Sequence, residues 1–139
     1  MSDEAQAEEE AKTGLVFVDP DERSRLSAES LEGALERSIL ALDVSEFEPA
    51  DSEEIQQAAA FVVCWDLGFR TGAELVEAIR CDASLRDRKV LVSMEAPTRR
   101  SVLAAMALGA DAVCRRPYDG DELSVRLEQL GLRRPSSAQ

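Results

Sequence analysis

Short apolar runs in this sequence end in, or are directly followed by, residues whose side chains could bind a metal ion and a phosphoryl group. Carboxylates are the ligands that Mg²⁺ prefers, while a hydroxyl and a cation can hold a phosphoryl group beside the ion. The pattern therefore predicts a site for phosphoryl chemistry if the fold brings these groups together. The candidate residues are Asp19, Asp21, Asp66, Ser93 and Arg116.

Apolar runs alternate with helical patterns along the chain. Continuous apolar runs are typical of strands covered on both faces, while apolar residues three or four apart indicate amphipathic helices. Five alternations predict an α/β domain with one parallel sheet, helices on both faces and a binding site at the carboxyl ends of the strands. The predicted strands are 15–18, 40–47, 61–65, 90–92 and 112–114. The predicted helices cover the segment with Leu26, Leu31, Leu35 and Ile39, and residues 51–60, 72–81, 98–108 and 119–130.

Composition excludes several classes of protein. The chain has 139 residues, of which 45% are hydrophobic, which suits one domain. A net charge of −12 argues against nucleic-acid and anionic-membrane binding, and the lack of histidine excludes Ser-His-Asp chemistry and ordinary zinc sites. Three widely spaced cysteines and no secretory signal indicate a reduced, cytoplasmic protein. We expect a disordered acidic tail at 1–12, one domain at 13–132 and a frayed tail at 133–139.

Four segments resemble the CheY-like receiver domain of bacterial response regulators. Residues 109–118 (GADAVCRRPY) resemble the family's G-A-D-x-Y-x-x-K-P-F, and residues 72–75 (GAEL) resemble its G-x-E-L. Residues 16–19 (VFVD) and 90–93 (VLVS) resemble the first strand with its acidic pair and the strand that ends in a switch Thr or Ser. The resemblance covers nearly all of residues 14–132. It implies a doubly wound, flavodoxin-like sheet of order 2-1-3-4-5 with five helices, in a stand-alone signalling module of a two-component phosphorelay.

The resemblance also assigns roles to the candidate residues. In the family, an aspartate after the third strand accepts a phosphoryl group beside a bound Mg²⁺, and Asp66 is the match. Asp19, Asp21 and Asp66 then become the magnesium ligands. Ser93 supplies the hydroxyl that responds to phosphorylation. Arg116 replaces a lysine that pairs with the phosphoryl group, and the two side chains differ in size and geometry.

The chain departs from the family pattern around this site. Counting back from Gly72 without a gap places Cys64 at the acceptor position, and a gap of one residue places Trp65 there. Pro20 stands where the second acid is expected, and Val113 stands where a reporting aromatic residue is expected. With Asp66 as the acceptor, the loop that follows is also two residues short. These departures favour a degenerate receiver with weak or no phosphorylation, and the alternative is an active receiver phosphorylated on Asp66.

Residues 19–22 (DPDE) allow two further interpretations. An N-cap Asp19 with Pro20 at the first helical position and two acids behind it would open a helix without any metal. The same stretch resembles the hydrophobic-D-x-D opening of haloacid-dehalogenase-type phosphatases, with Ser93 in the place of their second motif. That family expects Thr or Val where this chain has Arg23.

A partner surface is expected on the helices predicted at 98–108 and 119–130 and the strand between them. Residues 80–139 hold 11 basic and 8 acidic side chains, whereas residues 1–79 hold 5 and 20. In the family this face reports the state of the site. We expect it to bind a signalling protein, for which a histidine kinase is one candidate, and the chain to be a monomer or a weak dimer through the same face. The predicted contact residues are Arg99, Arg115, Tyr118 and Arg126.

Overall fold

The computed structural model describes residues 14–48, 52–65 and 72–132. The predicted tails and Asp66 lie outside these ranges. Within them the strands are β1 (Gly14–Val18), β2 (Ile39–Leu42), β3 (Ala58–Cys64), β4 (Lys89–Met94) and β5 (Ala112–Arg115). The helices are α1 (Glu22–Glu29), α2 (Glu32–Leu35), α3 (Glu53–Gln56), α4 (Gly72–Cys81), α5 (Arg99–Ala107) and α6 (Gly120–Gln129).

The strands form one sheet in the order β2-β1-β3-β4-β5, and every neighbouring pair is parallel. This confirms the predicted α/β class and the strand order that the resemblance implied. Val18 pairs with Val63, and Ser93 pairs with both Cys64 and Cys114. The carboxyl ends of β1, β3, β4 and β5 therefore lie side by side, at the edge where a site was expected.

Helices cover both faces of the sheet because the central strands are apolar on both sides. Every residue of β3 is buried. Its side chains alternate between two cores, so that Phe61 packs with one face and Val62 with the other. The first core includes residues of α3, α4 and α5, and the second includes residues of α1, α2 and α6. The sheet is therefore the middle layer between two layers of helices, and its strand order determines which strand ends meet at the candidate site.

The first helix starts and stops differently from the prediction. Residues 22–35 form two helices instead of one, and α2 ends where Glu36 adopts a left-handed conformation with φ of 55°. Ile39 belongs to β2, where its backbone N–H donates to the Glu32 carboxylate at 2.8 Å. The apolar spacing of this segment continues from a helix into a strand, so periodicity alone could not locate the break.

Two neighbouring predictions are also wrong at their ends. The strand expected at 40–47 ends at Leu42, because Asp43 caps a single 3₁₀ turn at Val44–Glu46. The helix expected to reach Ala60 ends at Gln56, and Ser52 caps its start. The three alanines that follow join β3, where burial within the sheet outweighs the helix preference of alanine.

Helix α4 begins in direct contact with the end of β3. A Cβ added to Gly72 would lie 2.8 Å from the Trp65 Cα and 2.9 Å from the Cys64 carbonyl oxygen. The Gly72 N–H donates to the Trp65 carbonyl at 3.3 Å. The two residues that flank the connection 66–71 are therefore held against each other, and only glycine fits there.

Arg80 bonds to several connections at the amino ends of the strands, opposite the candidate site. Its guanidinium donates to the carbonyls of Arg86 and Arg88 at 2.9 and 2.7 Å. It also donates to the Gly109 carbonyl at 2.6 Å and pairs with the Asp111 carboxylate at 2.8 Å. Gly109, which follows the end of α5, has the positive φ of 114° that this turn requires.

No helix within the described ranges has the length and apolarity needed to cross a lipid bilayer. Cys64 and Cys114 are buried, while Cys81 is exposed at the end of α4, and all three are free thiols.

Candidate functional site

The carboxyl ends of three strands bring Asp19, Ser93 and Tyr118 together. Asp19 follows β1, Ser93 lies near the end of β4, and Tyr118 follows β5. The Tyr118 hydroxyl donates to Asp19 Oδ2 at 2.8 Å and lies 3.1 Å from Ser93 Oγ. We call these three residues the Asp19 cluster. The sequence placed Asp19 and Ser93 at one site, and the geometry agrees for this pair.

The Asp19 cluster is enclosed by the protein. Asp19 and Ser93 are fully buried, and Tyr118 is 7% exposed. The Tyr118 ring packs edge-on against Phe17, with ring centroids 4.9 Å apart. Burial, with the nearby Asp19 charge, raises the pKa of the Tyr118 hydroxyl above its ordinary value. The hydroxyl therefore stays protonated and remains a hydrogen-bond donor to the carboxylate.

Each carboxylate oxygen of Asp19 has a donor. Oδ2 accepts from Tyr118, and Oδ1 accepts from the backbone N–H of Asp21 at 2.9 Å. The Asp19 carbonyl accepts from Arg25 Nη1 at 2.9 Å, and the same guanidinium reaches Asp43 at 3.5 Å. Arg25 was not singled out in the sequence, although it lies six residues after Asp19 on the first predicted helix.

Asp21 does not join the Asp19 cluster. Its carboxylate caps α1 by accepting from the Ser24 N–H at 3.0 Å and the Ser24 hydroxyl at 2.9 Å. These bonds hold the pKa of Asp21 below its ordinary value. An aspartate in residues 19–22 does cap the first helix, as the capping interpretation predicted. The capping residue is Asp21, however, and not Asp19.

The described residues do not fit a magnesium ion at Asp19. An ion there would need oxygen ligands and usually several waters, whereas Asp19 is fully buried and both of its oxygens accept hydrogen bonds. In residues 14–48, 52–65 and 72–132, no three His, Cys, Asp or Glu side chains lie close enough to hold a metal. Asp66, the third predicted ligand and the predicted acceptor, is outside these ranges.

The other residues considered for phosphoryl chemistry have different surroundings. Cys64, one alternative acceptor position, is fully buried in β3, and Trp65, the other, is half-buried just after it. Arg116 is half-buried after β5, and its backbone N–H donates to the Met94 carbonyl at 3.0 Å. The bond from Arg116 to Pro117 is cis.

Three of the four predicted partner-binding residues line one open groove of about 620 Å³ between α5, β5 and α6. We call it the α5–β5–α6 groove. Its apolar lining includes Val102, Met106 and Val113, and its basic residues are Arg99, Arg115 and Arg126. The surface position predicted for Tyr118 is wrong, because this side chain turns inward to Asp19 and packs on Phe17.

The acidic side chains of this groove are engaged elsewhere. Asp111 pairs with Arg80, and Glu122 accepts from the backbone N–H of Arg115 at 2.9 Å. Among the described residues, the guanidinium groups of Arg99, Arg115 and Arg126 form no ion pair. Arg80 neutralises Asp111, so the groove has three arginine charges against the one negative charge of Glu122, beside an apolar floor. This net positive surface lies on a chain whose net charge is −12.

The inward position of Tyr118 is the main feature of the site that the sequence analysis missed. The signal was present, because Tyr118 stands where the family motif G-A-D-x-Y-x-x-K-P-F ends in Phe. A tyrosine at that position adds one hydroxyl to a ring that is otherwise packed among apolar side chains. A buried hydroxyl needs a polar partner, and the ends of β1 and β4 offer two.

Solved structures of similar fold come from response regulators. The chain is similar to the chemotaxis protein CheY4 of Vibrio cholerae, with a TM-score of 0.69 and 16% identity over 86% of this chain and 98% of that chain. It is similar to a putative response regulator from Chloroflexus aurantiacus, with a TM-score of 0.71 and 18% identity over 87% of this chain and 98% of that chain. The BeF₃-activated DrrB receiver domain gives a TM-score of 0.71 and 17% identity over the same shares.

No protein-family model and no curated protein sequence matches the chain. The similarity to known proteins therefore concerns the fold. The parallel sheet of order β2-β1-β3-β4-β5, its helices on both faces and these likenesses show that the chain has the CheY-like receiver fold.

Proposed function

We propose that this chain is a cytoplasmic receiver-type signalling module, not an enzyme, which acts by protein–protein contact with weak or no phosphorylation. The observation that carries the proposal is the Tyr118 hydroxyl, 2.8 Å from the Asp19 carboxylate and 3.1 Å from Ser93. Two groups that a phosphoryl site would use are bonded to a side chain of the protein itself. Pro20 and Arg116, which replace the expected acid and lysine, support the same conclusion.

The Asp19 cluster also connects the site to the α5–β5–α6 groove. Ser93 lies on the strand that leads into α5, and Tyr118 lies between β5 and α6. Their hydrogen bond joins the end of β4, which leads into α5, to the connection that leads into α6, and these two helices form the walls of the groove. The groove therefore has a defined shape without an added phosphoryl group, which suits a module that binds its partner constitutively.

Charge indicates what kind of partner fits the groove. Three arginines that form no ion pair within the described ranges line the groove beside its apolar floor. An acidic segment with apolar side chains on one face would neutralise these cations while burying apolar area. We therefore propose an acidic, amphipathic segment of a signalling protein as the occupant.

Incubation with acetyl phosphate and Mg²⁺, followed by intact-mass measurement, tests the absence of phosphorylation. We expect no mass increase in the wild type. The Asp66→Ala variant is the matched control. A gain of one phosphoryl group by the wild type, absent in Asp66→Ala, would show an active receiver and contradict the proposal.

Charge reversal on adjacent residues tests the groove. Arg99 lines the groove, while its exposed neighbour Arg100 does not, so Arg99→Glu and Arg100→Glu change the net charge equally. A partner captured by the wild type would be identified, purified and titrated against each variant. We expect Arg99→Glu and Arg126→Glu to weaken binding several-fold and Arg100→Glu to leave it near the wild-type value. Equal effects at positions 99 and 100 would place the interface elsewhere.

The geometry does not favour the phosphatase interpretation. That chemistry uses both aspartates of the D-x-D motif at one site, whereas Asp19 is enclosed beneath Tyr118 and Asp21 caps α1 on the surface. Turnover of a generic phosphate ester that is lost in Asp19→Asn would be needed to restore this interpretation.

A further inference from the structure

The first residues of the chain have the opposite charge to the α5–β5–α6 groove. Residues 1–13, which we call the acidic segment, hold five acidic side chains and one basic side chain, and three of the acids are consecutive at 8–10. The groove has three arginine charges against the one negative charge of Glu122, since Arg80 neutralises Asp111. Such complementary charges attract each other and favour docking.

The acidic segment joins the folded domain at a surface of its own sign. Gly14, the next residue, lines a cleft of about 410 Å³ together with Glu32, Glu53 and Glu54. No basic side chain within the described ranges lines this cleft. Like charges repel, so the surface beside Gly14 disfavours the acidic segment, while the groove on the other side of the sheet attracts it.

The acidic segment is long enough to reach the groove. Two strands, β3 and β4, lie between β1 and β5. At a strand spacing of about 4.8 Å, β1 and β5 are about 14 Å apart. One end of the groove lies at the same end of the sheet as Gly14, because Asp111 before β5 and Leu130 after α6 both line it. Thirteen extended residues span up to about 45 Å, so acids of the segment can extend along the groove.

We propose that the acidic segment binds in the α5–β5–α6 groove of its own molecule and competes there with the partner. The inference rests on the proposed function, because it assigns a form of regulation to the same groove. A short tether gives the segment an effective concentration of about 1 mM, so contacts with a dissociation constant of that size cover the groove about half of the time. A partner binds only the uncovered fraction, which raises its apparent dissociation constant by the reciprocal of that fraction.

Two variants of the full chain with equal net charge test the inference. The tail variant removes the three consecutive acids by Glu8→Gln, Glu9→Gln and Glu10→Gln. The control variant removes three exposed acids of the folded domain, by Glu29→Gln, Glu48→Gln and Glu77→Gln. Circular dichroism establishes that each variant is folded, and the measurement needs no partner.

Amide NMR spectra show whether the groove is covered. At low ionic strength we expect the tail variant, and not the control, to shift the resonances of Val102, Val113 and Arg126 from their wild-type positions. Sodium chloride at about 1 M shortens the screening length to about 3 Å, so the wild type and the tail variant should then give the same groove resonances. With Arg126→Glu in the background, the tail substitutions should lose most of their effect on Val102 and Val113.

Three results would overturn the inference. One is a tail variant that shifts the groove resonances no more than the control does. Another is a set of shifts confined to Arg86 and Lys89, basic residues before and at the start of β4, which would place the acidic segment there. The third is a shift that grows with protein concentration, which would mean that the segment of a second copy occupies the groove.

These outcomes are distinct from a failure of the proposed function. A groove that the acidic segment does not cover can still bind a partner, and the absence of phosphorylation does not depend on residues 1–13. Phosphorylation of the wild type at Asp66 would contradict the proposed function whatever the groove resonances show.

Discussion

Two glycines in helices of this protein should respond to alanine in opposite directions. At Gly72 the new Cβ would lie 2.8 Å from the Trp65 Cα and 2.9 Å from the Cys64 carbonyl oxygen, and neither backbone atom can rotate away. Overpacking of this kind costs about 1–3 kcal/mol. Alanine regains up to about 1 kcal/mol of helix propensity, less at the first residue of a helix. We expect Gly72→Ala to lower the free energy of unfolding by about 1–2 kcal/mol.

Gly33 is the matched control, because an added Cβ there meets nothing within 4 Å. Gly33→Ala should raise the free energy of unfolding by about 0.5–1 kcal/mol through the entropy of the unfolded chain. Urea denaturation followed by circular dichroism measures both variants. With a slope of about 1–3 kcal/mol per molar urea, Gly72→Ala should lower the midpoint by roughly 1 M. A Gly72→Ala midpoint at or above that of the wild type would refute the close packing of α4 on β3.

Four other substitutions have calculable outcomes. Tyr118→Phe should lower the free energy of unfolding by about 1.5–3 kcal/mol, since it removes a hydrogen bond to a buried carboxylate, and Ser93→Ala should cost less; urea denaturation would rank them. Burial raises the pKa of Cys114 from 9.0 to about 12, so the folded chain keeps a proton that the unfolded chain releases. Stability should therefore fall as the pH rises from 9.0 towards 12, and urea midpoints across this window should show a smaller decline in Cys114→Ala. Arg80→Met should cost about 1–3 kcal/mol, because three carbonyls and Asp111 lose a shared donor, and a thermal melt that is unchanged would contradict this.

The α/β class could be predicted from the sequence because the apolar runs and the turn residues indicated the same strands and helices. The continuous apolar run in β3 is typical of a strand covered on both faces, and Gly109 adopts the positive φ at which α5 ends. The strand order came from the family resemblance, since alternation of strands and helices predicts a parallel sheet but does not by itself order its strands. Element ends were harder to predict, as the three alanines at the start of β3 show. Their helix preference is local, while the burial that overrides it depends on strands far away in the chain.

The candidate site was only partly predictable for the same reason. Asp19 and Ser93 lie at the carboxyl ends of β1 and β4, the two strands on either side of β3, so topology alone brought them to the same end of the sheet. The inward turn of Tyr118 depends on packing against Phe17 and on an acceptor 99 positions earlier in the chain. No periodicity or spacing within the motif expresses that contact. Tyr118 was consequently assigned to the outer surface.

The Arg80 contacts determine how α5 could be displaced. The guanidinium fixes the turn at Gly109, which follows the carboxyl end of α5, to the connection between α4 and β4. The amino end of α5, where Arg99 lines the groove, has no comparable anchor among the residues described here. Because α5 is anchored at its carboxyl end, a rearrangement at Ser93 would tilt the helix about Gly109. The displacement would be smallest at Gly109 and largest at Arg99.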